Sequence, residues 1–133
     1  MKAVFLDTVG LLATWNESDQ WHERAFPVYQ QILRDRRLVV TTTAVLLECS
    51  NAAARLACRD DLLALKLRLE RNNLIMPVED TDWSAAWLAY ERGSRGSAGI
   101  VDQISFTVMH RLGITDAFTN DQHFRTAGFT PLF

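Results

Sequence analysis

The sequence predicts an α/β protein, with helices sandwiching a mainly parallel sheet, on three observations. Short apolar or β-branched runs alternate with stretches of helical periodicity along the whole chain. The first run, Lys2 to Leu6, is continuously apolar after its lysine, the pattern of a strand buried on both faces. Acids follow two of the strand-like runs, where open parallel sheets bind ligands, often at the point where strand order reverses.

Taken in order, the run ending at Leu6 leads into Asp7, and Leu11, Leu12 and Trp15 continue with helical spacing. Asn16 to Asp19 supplies a turn and an N-cap for a second helix with an apolar stripe of Trp21, Ala25, Val28, Tyr29, Ile32 and Leu33. Pro27 removes a backbone donor there, so a kink or late start is expected. Leu38 to Thr42 reads as the next strand, with Thr42 or Thr43 capping a helix through about Ala57. Asp60 opens another helix. Its segment Leu63 to Leu69 alternates like a strand but holds no β-branched residue and only good helix formers, which decides for helix. Ile75 to Val78 is a short strand, and Asp80 or Asp82 caps a helix carrying Trp83, Trp87 and Tyr90. Gly93 to Gly99 is a glycine-serine loop that leads to Asp102 and a helix ended by Gly113. Ala117 to Thr119 is a strand, Asp121 opens a brief helix, and Phe129 to Leu132 is a final extended piece.

With 133 residues, 48% hydrophobic and 23% charged, residues 1–133 are expected to form one domain with one core. These values argue against a disordered chain or a coiled coil. Apolar runs such as Ala44 to Leu47 are far too short to span a bilayer. The early Asp7 leaves no room for a signal peptide, so the mature chain is expected to start at Met1. A net charge of -2 denies the chain a strongly basic field, so any nucleic acid must be held by a local patch or a metal. Cys49 and Cys58 fall in a stretch that reads as one helix. There they would stand roughly 13 Å apart, beyond disulfide reach, and a reduced, buried, inert pair in a cytoplasmic protein is expected.

The chemistry lies in four acids. Asp7 and Asp121 follow strands. Glu48 sits on an Ala- and Leu-rich helix that reads as largely buried, so its charge requires a partner or a cation. Asp102 starts a helix whose later turns are apolar. Each has a structural reading as well: Asp7, Asp102 and Asp121 as helix caps, and Glu48 paired with Arg55. Together they point to a hard divalent ion, because converging carboxylates repel one another unless a cation satisfies their oxygens.

The segments Asp7 to Leu12, Thr41 to Glu48, Val101 to Phe106 and above all Phe118 to Phe124 resemble the PIN-domain family, and within it the VapC-type toxin ribonucleases. The likeness runs from Val4 to Phe129 in the family's order. It implies a three-layer α/β/α domain with a mainly parallel central sheet. It also implies hydrolysis of phosphodiester bonds in structured RNA, tRNA or rRNA, with Mg²⁺ or Mn²⁺ as cofactor. Carried over residue by residue, the catalytic acids are Asp7, Glu48, Asp102 and Asp121. Asp7 and Asp102 are expected as direct ligands, with Glu48 and Asp121 holding metal-bound water or a second ion. Val9 stands where the family often has Ser or Asn, leaving Thr8 or Thr119 to supply an oxygen. The resemblance further implies a cognate antitoxin, a homodimer and no membrane association. Two other readings stay open: an RNA-maturation nuclease without an antitoxin, and a catalytically silent RNA- or protein-binding module.

Among the remaining residues, Arg92 and Arg95 are candidate RNA-phosphate contacts, with Arg111 and Arg125 weaker ones. Trp15 and Trp21 flank a polar turn and are assigned to an apolar antitoxin groove close to the acids. Trp83 and Trp87, at helical spacing, are expected in the core. His22, His110 and His123 fit no compact zinc pattern. His110 is expected to be solvated and His123 structural.

Overall fold

The alternating faces of a continuously apolar first strand decide how the layers assemble. The computed structural model describes every residue from Met1 to Phe133. Strand β1 (Val4–Leu6) sends Val4 and Leu6 to one core and Phe5 to another. A strand covered on both faces by helices has this signature, and each buried large side chain stabilises the fold by roughly 1.5–3 kcal/mol.

The elements follow as α1 (Thr8–Trp15), α2 (His22–Arg34), β2 (Val39–Thr42), α3 (Thr43–Ala53), α4 (Arg59–Arg71), β3 (Ile75–Met76), α5 (Asp80–Arg92), α6 (Ile100–Leu112), β4 (Asp116–Phe118), α7 (Gln122–Thr126) and β5 (Thr130–Pro131). All strand pairings are parallel and the sheet order is β3-β2-β1-β4-β5. The chain therefore winds outward from β1 through β2 to β3, then returns to the other side of β1 for β4 and β5. The reversal falls between β1 and β4.

Helix α4 confirms that helix formers outweigh an alternating pattern: Leu62, Leu65 and Leu69 are buried while Leu63 and Leu67 face solvent. Gly113 closes α6 in the left-handed conformation, with φ 68°. Three expectations are corrected. Helix α2 starts at His22 and runs on through Pro27, so the late start is not seen. Helix α3 ends at Ala53 and Cys58 caps α4, so the two cysteines lie on separate elements. Both are free and buried, and burial pushes the Cys49 thiol up to about 12, which removes it as a nucleophile at neutral pH.

Helix α5 is the third. Trp83 and Trp87 are 40% and 46% exposed, with Trp87 edge-on to Tyr90. The fully buried Ala86 faces α3 and α6 instead. A small side chain lets two helices approach closely, and that approach turns the tryptophan stripe outward. Asp82 accepts from the Glu79 amide as half of a capping box and is gripped by Arg111, whose Nη2 is 2.9 Å from Asp82 Oδ2 and 2.9 Å from the Pro77 carbonyl. Arg111 thereby locks the start of α5 to the end of α6 and is spent as an RNA contact.

Candidate metal centre

Leu6 and Phe118 are register partners on the neighbouring parallel strands β1 and β4. The residues just past them, Asp7 and Thr119, are thus placed side by side at the carboxyl edge of the sheet, in the reversal crevice where ligands bind in this architecture. Thr119 Oγ1 donates to Asp7 Oδ2 at 2.8 Å. Asp7 is 2% exposed and stands at the N-cap position of α1 without a side-chain capping bond. The close approach of α1 to β4 depends on Gly10, because a Cβ there would lie 2.6 Å from Phe118 Cδ2 and run into the Phe118 carbonyl.

Burial raises the Asp7 carboxyl to about 7; the Thr119 bond and the Thr8 amide pull it down, and the charges of Asp102 and Glu48 push it up. Asp102 lies in the first turn of α6, three residues past Gly99, the position that a capping side chain would occupy. Its carboxyl rises to about 6, through burial first and then the charges of Asp121 and Glu48, while the Gly99 amide and His123 lower it. Asp102 is therefore the hub, in the field of all three other acids.

Asp121 does cap a helix: its Oδ1 accepts from the His123 amide at 2.8 Å and lies 2.9 Å from His123 Nδ1, while its own amide donates to Thr119 Oγ1. His123 Nε2 lies 2.8 Å from the Gly96 carbonyl. Both ring nitrogens thus meet acceptors, an arrangement only the doubly protonated imidazolium satisfies. The pKa of His123 is accordingly raised, chiefly by the Gly96 carbonyl and further by Asp121. The candidate ligand atoms of Asp102, Asp121 and His123 all lie within 4.8 Å of one another.

Glu48 corrects the sequence reading. It is exposed on α3, whose buried residues include Ala44, Val45, Cys49 and Ala53, and no ion pair joins it to Arg55. It still acts on the cluster, since its charge reaches both Asp7 and Asp102. The tie from His123, beside Asp121, to the Gly96 carbonyl of the loop was not legible in the sequence. Its one available signal was the two-residue spacing from Asp121.

A family model described as PIN domain matches residues 4–130. The chain belongs to the PIN-domain family. Nucleases of this family are metal-dependent hydrolases, and an acidic cluster that could hold a metal ion, Asp102 and Asp121 with His123, is present here. VapC20 of Mycobacterium tuberculosis, described as a sarcin-ricin loop cleaving toxin, superposes with a TM-score of 0.76 at 25% identity, over 95% of each chain. FitAcB from Neisseria gonorrhoeae has the same fold, with a TM-score of 0.63 at 18% identity over 98% of this chain and 96% of that one. FitAB bound to a DNA fragment matches with 0.66 at 18%, over 96% and 92%. No curated protein matches by sequence.

Arg92 and Arg95 are exposed at the end of α5 and in the following loop, whose Gly96 is held by His123. Trp15 lines a cleft of about 260 Å³ with Tyr29, Leu33, Ala64 and Leu65, edged by Asp61 and Arg68. It ends the helix that Asp7 precedes, roughly 12 Å further along at 1.5 Å per residue. Trp21 packs on the core beside α2 with Arg24 over its ring, outside that cleft. His110 is exposed and tilts onto Phe129, and His22 Nδ1 lies 2.8 Å from the Ala13 carbonyl. No helix is long and apolar enough to cross a membrane.

Proposed function

We propose that the chain is a metal-dependent endoribonuclease and the toxin of a toxin-antitoxin pair. The observation that carries the enzymatic half is the position of Asp102, raised to about 6 between Asp121 and Glu48 with Asp7 sealed behind it. Such a cluster holds either protons or a cation. Its donors are hard carboxylate oxygens, which suit Mg²⁺ or Mn²⁺, and Thr8 Oγ1, in the residue after Asp7, is buried without a partner.

Asp7 and Asp102 are assigned as direct ligands, with Glu48 and Asp121 acting through water or a second ion. A bound ion of this kind lowers the pKa of water and neutralises charge on a scissile phosphate. The protein's part is orientation. Thr119 fixes one oxygen of Asp7, and the α7 cap with His123 fixes one oxygen of Asp121. Arg92 and Arg95 meet the RNA phosphates. Structured RNA, tRNA or rRNA, is the substrate class supported by the likeness to VapC20. A cognate antitoxin segment occupies the apolar surface at Trp15 and Trp21, supported by the likeness to FitAB, and a homodimer is the assembly that the family resemblance implies.

The test is cleavage of structured RNA in Mn²⁺ or Mg²⁺, abolished by EDTA and by Asp102→Asn. Full cleavage in EDTA overturns the metal mechanism. Expression of the chain alone should arrest bacterial growth, and an adjacent small gene should restore it. A soluble, expressed wild type that leaves growth untouched overturns the toxin half, and the cleavage assay then chooses between a housekeeping nuclease and a silent binding module.

A further inference from the structure

A cleft of about 570 Å³ lies between the Gly93–Gly99 loop, α6 and α7, within the range of small-ligand sites. It shares His123 with the acid cluster. Its walls include Gln103 and Gln122, the residues that directly follow Asp102 and Asp121, and Thr126 one turn further along α7. Ala98, Ala127 and Phe106 form the apolar part of the lining, with Phe106 held by an edge-to-face contact with Phe124 at 4.9 Å and by stacking on Phe129 at 5.6 Å.

The chemistry of this lining selects an occupant. Apart from His123, whose ring nitrogens are engaged by Asp121 and Gly96, it holds no ionisable side chain. A phosphate would find no cation to pair with, and an acidic or basic peptide side chain no counter-ion. Two primary amides offer paired donors and acceptors, the arrangement that reads the edge of a base. Gln103 is engaged through its main chain alone, its amide donating to the Gly99 carbonyl at 3.0 Å and its carbonyl accepting from Thr107 Oγ1 at 2.9 Å, so its side-chain amide is left for a ligand. An aromatic lining and polar walls suit a flat, neutral, polar ring. Unpaired RNA bases splay out and are read in this way.

We propose that this cleft binds one nucleobase of the RNA, next to the phosphate held at the acids, and that Gln103 and Gln122 set which base is accepted. The proposal deepens the nuclease reading and rests on it for the role of the base, while binding itself is measurable without cleavage. A site built to hydrogen-bond a base rejects analogues that leave its amides unpaired.

Two measurements test it. In Mn²⁺, cleavage of a randomised RNA pool by the wild type should show a base preference at one position beside the cut. Gln103→Ala and Gln122→Ala should each reduce that preference about tenfold. Separately, titration with the four nucleosides should shift the side-chain amide resonances of Gln103 and Gln122, one nucleoside more than the others, in EDTA as well as in Mn²⁺. Cleavage with an unchanged base profile in both variants and no nucleoside-induced shift overturns the inference and leaves the nuclease intact. Selective shifts without cleavage of any RNA support the base site and overturn the nuclease. Amides that respond to an antitoxin peptide but to no nucleoside overturn the inference in favour of a protein contact.

Discussion

Asp7 and Glu48 act on the same Asp102 from opposite surroundings. Asp7 belongs to a sealed wall, where β1 and β4 run parallel and Thr119 Oγ1 holds its carboxylate at 2.8 Å. Glu48 belongs to an open side of the cluster, on the exposed face of α3, where solvent reaches the acid. Geometry on the sealed side is set by strand register and helix packing. On the open side it is set by single polar contacts, such as His123 to the Gly96 carbonyl. The same charge is expensive on one wall and cheap on the other, so the two walls should answer differently to pH, to loss of charge and to loss of packing.

The largest expected effect is on pH dependence without metal. Asp7 titrates near 3.8 when unfolded and about 7 when folded, so between those values the native state binds the extra proton. Stability in EDTA therefore falls as pH rises from about 4 to 7 and levels off above, by on the order of 4 kcal/mol from this group alone. Urea unfolding at pH 5 and pH 8 measures the slope. Asp7→Asn should flatten it and Glu48→Gln should not, while saturating Mn²⁺ should shrink it, because the ion takes the proton's place. Equal slopes for the two variants would erase the distinction between the walls.

Next comes loss of charge. Asp7→Asn should slow RNA cleavage at least about a hundredfold, roughly 2.7 kcal/mol of barrier, and Glu48→Gln should cost about tenfold. Single-turnover rates at saturating Mn²⁺ decide the order. A Glu48 effect equal to that of Asp7 would make the exposed acid a full ligand.

Loss of packing separates the walls again. Gly10→Ala in a helix interior ordinarily stabilises by up to about 1 kcal/mol. Here the methyl group meets the Phe118 carbonyl, and a net loss of about 1–3 kcal/mol is expected, together with slower cleavage as α1 and Asp7 move off β4. Chemical denaturation and the rate assay would show both. A stabilised, fully active variant would show that the sealed wall tolerates displacement.

The smallest effect belongs to His123→Ala. Removing a partly exposed ion pair should cost less than about 1 kcal/mol globally. It should nonetheless speed amide exchange in the Gly93–Gly99 loop, which loses its tie to α7. Since folding raises the pKa of His123, the tie is fully present at acid pH and is lost as pH rises through the raised value. Unchanged loop exchange would remove His123 as the strap.

Asp7, Asp102 and Asp121 were readable in the amino-acid order because local rules place them: strands end, helices begin, and parallel sheets present those junctions at one edge. The alternation of strands and helices was equally local, as was the helical character of Leu63 to Leu69. Other features depended on which faces meet. Glu48 reads as buried from its Ala- and Leu-rich neighbours, yet α3 rolls so that other residues enter the core. Trp83 and Trp87 read as core, yet Ala86 gives α6 the closer approach and leaves the tryptophans outside. His123 ties the glycine loop to the acids only because that loop carries the Gly96 carbonyl to it, across 27 residues of sequence. Periodicity and junction chemistry are properties of neighbours along the chain, and the sequence by itself determined those. Helix roll, burial of a given charge and the meeting of distant polar groups follow from packing between elements, and only the tertiary structure decided them.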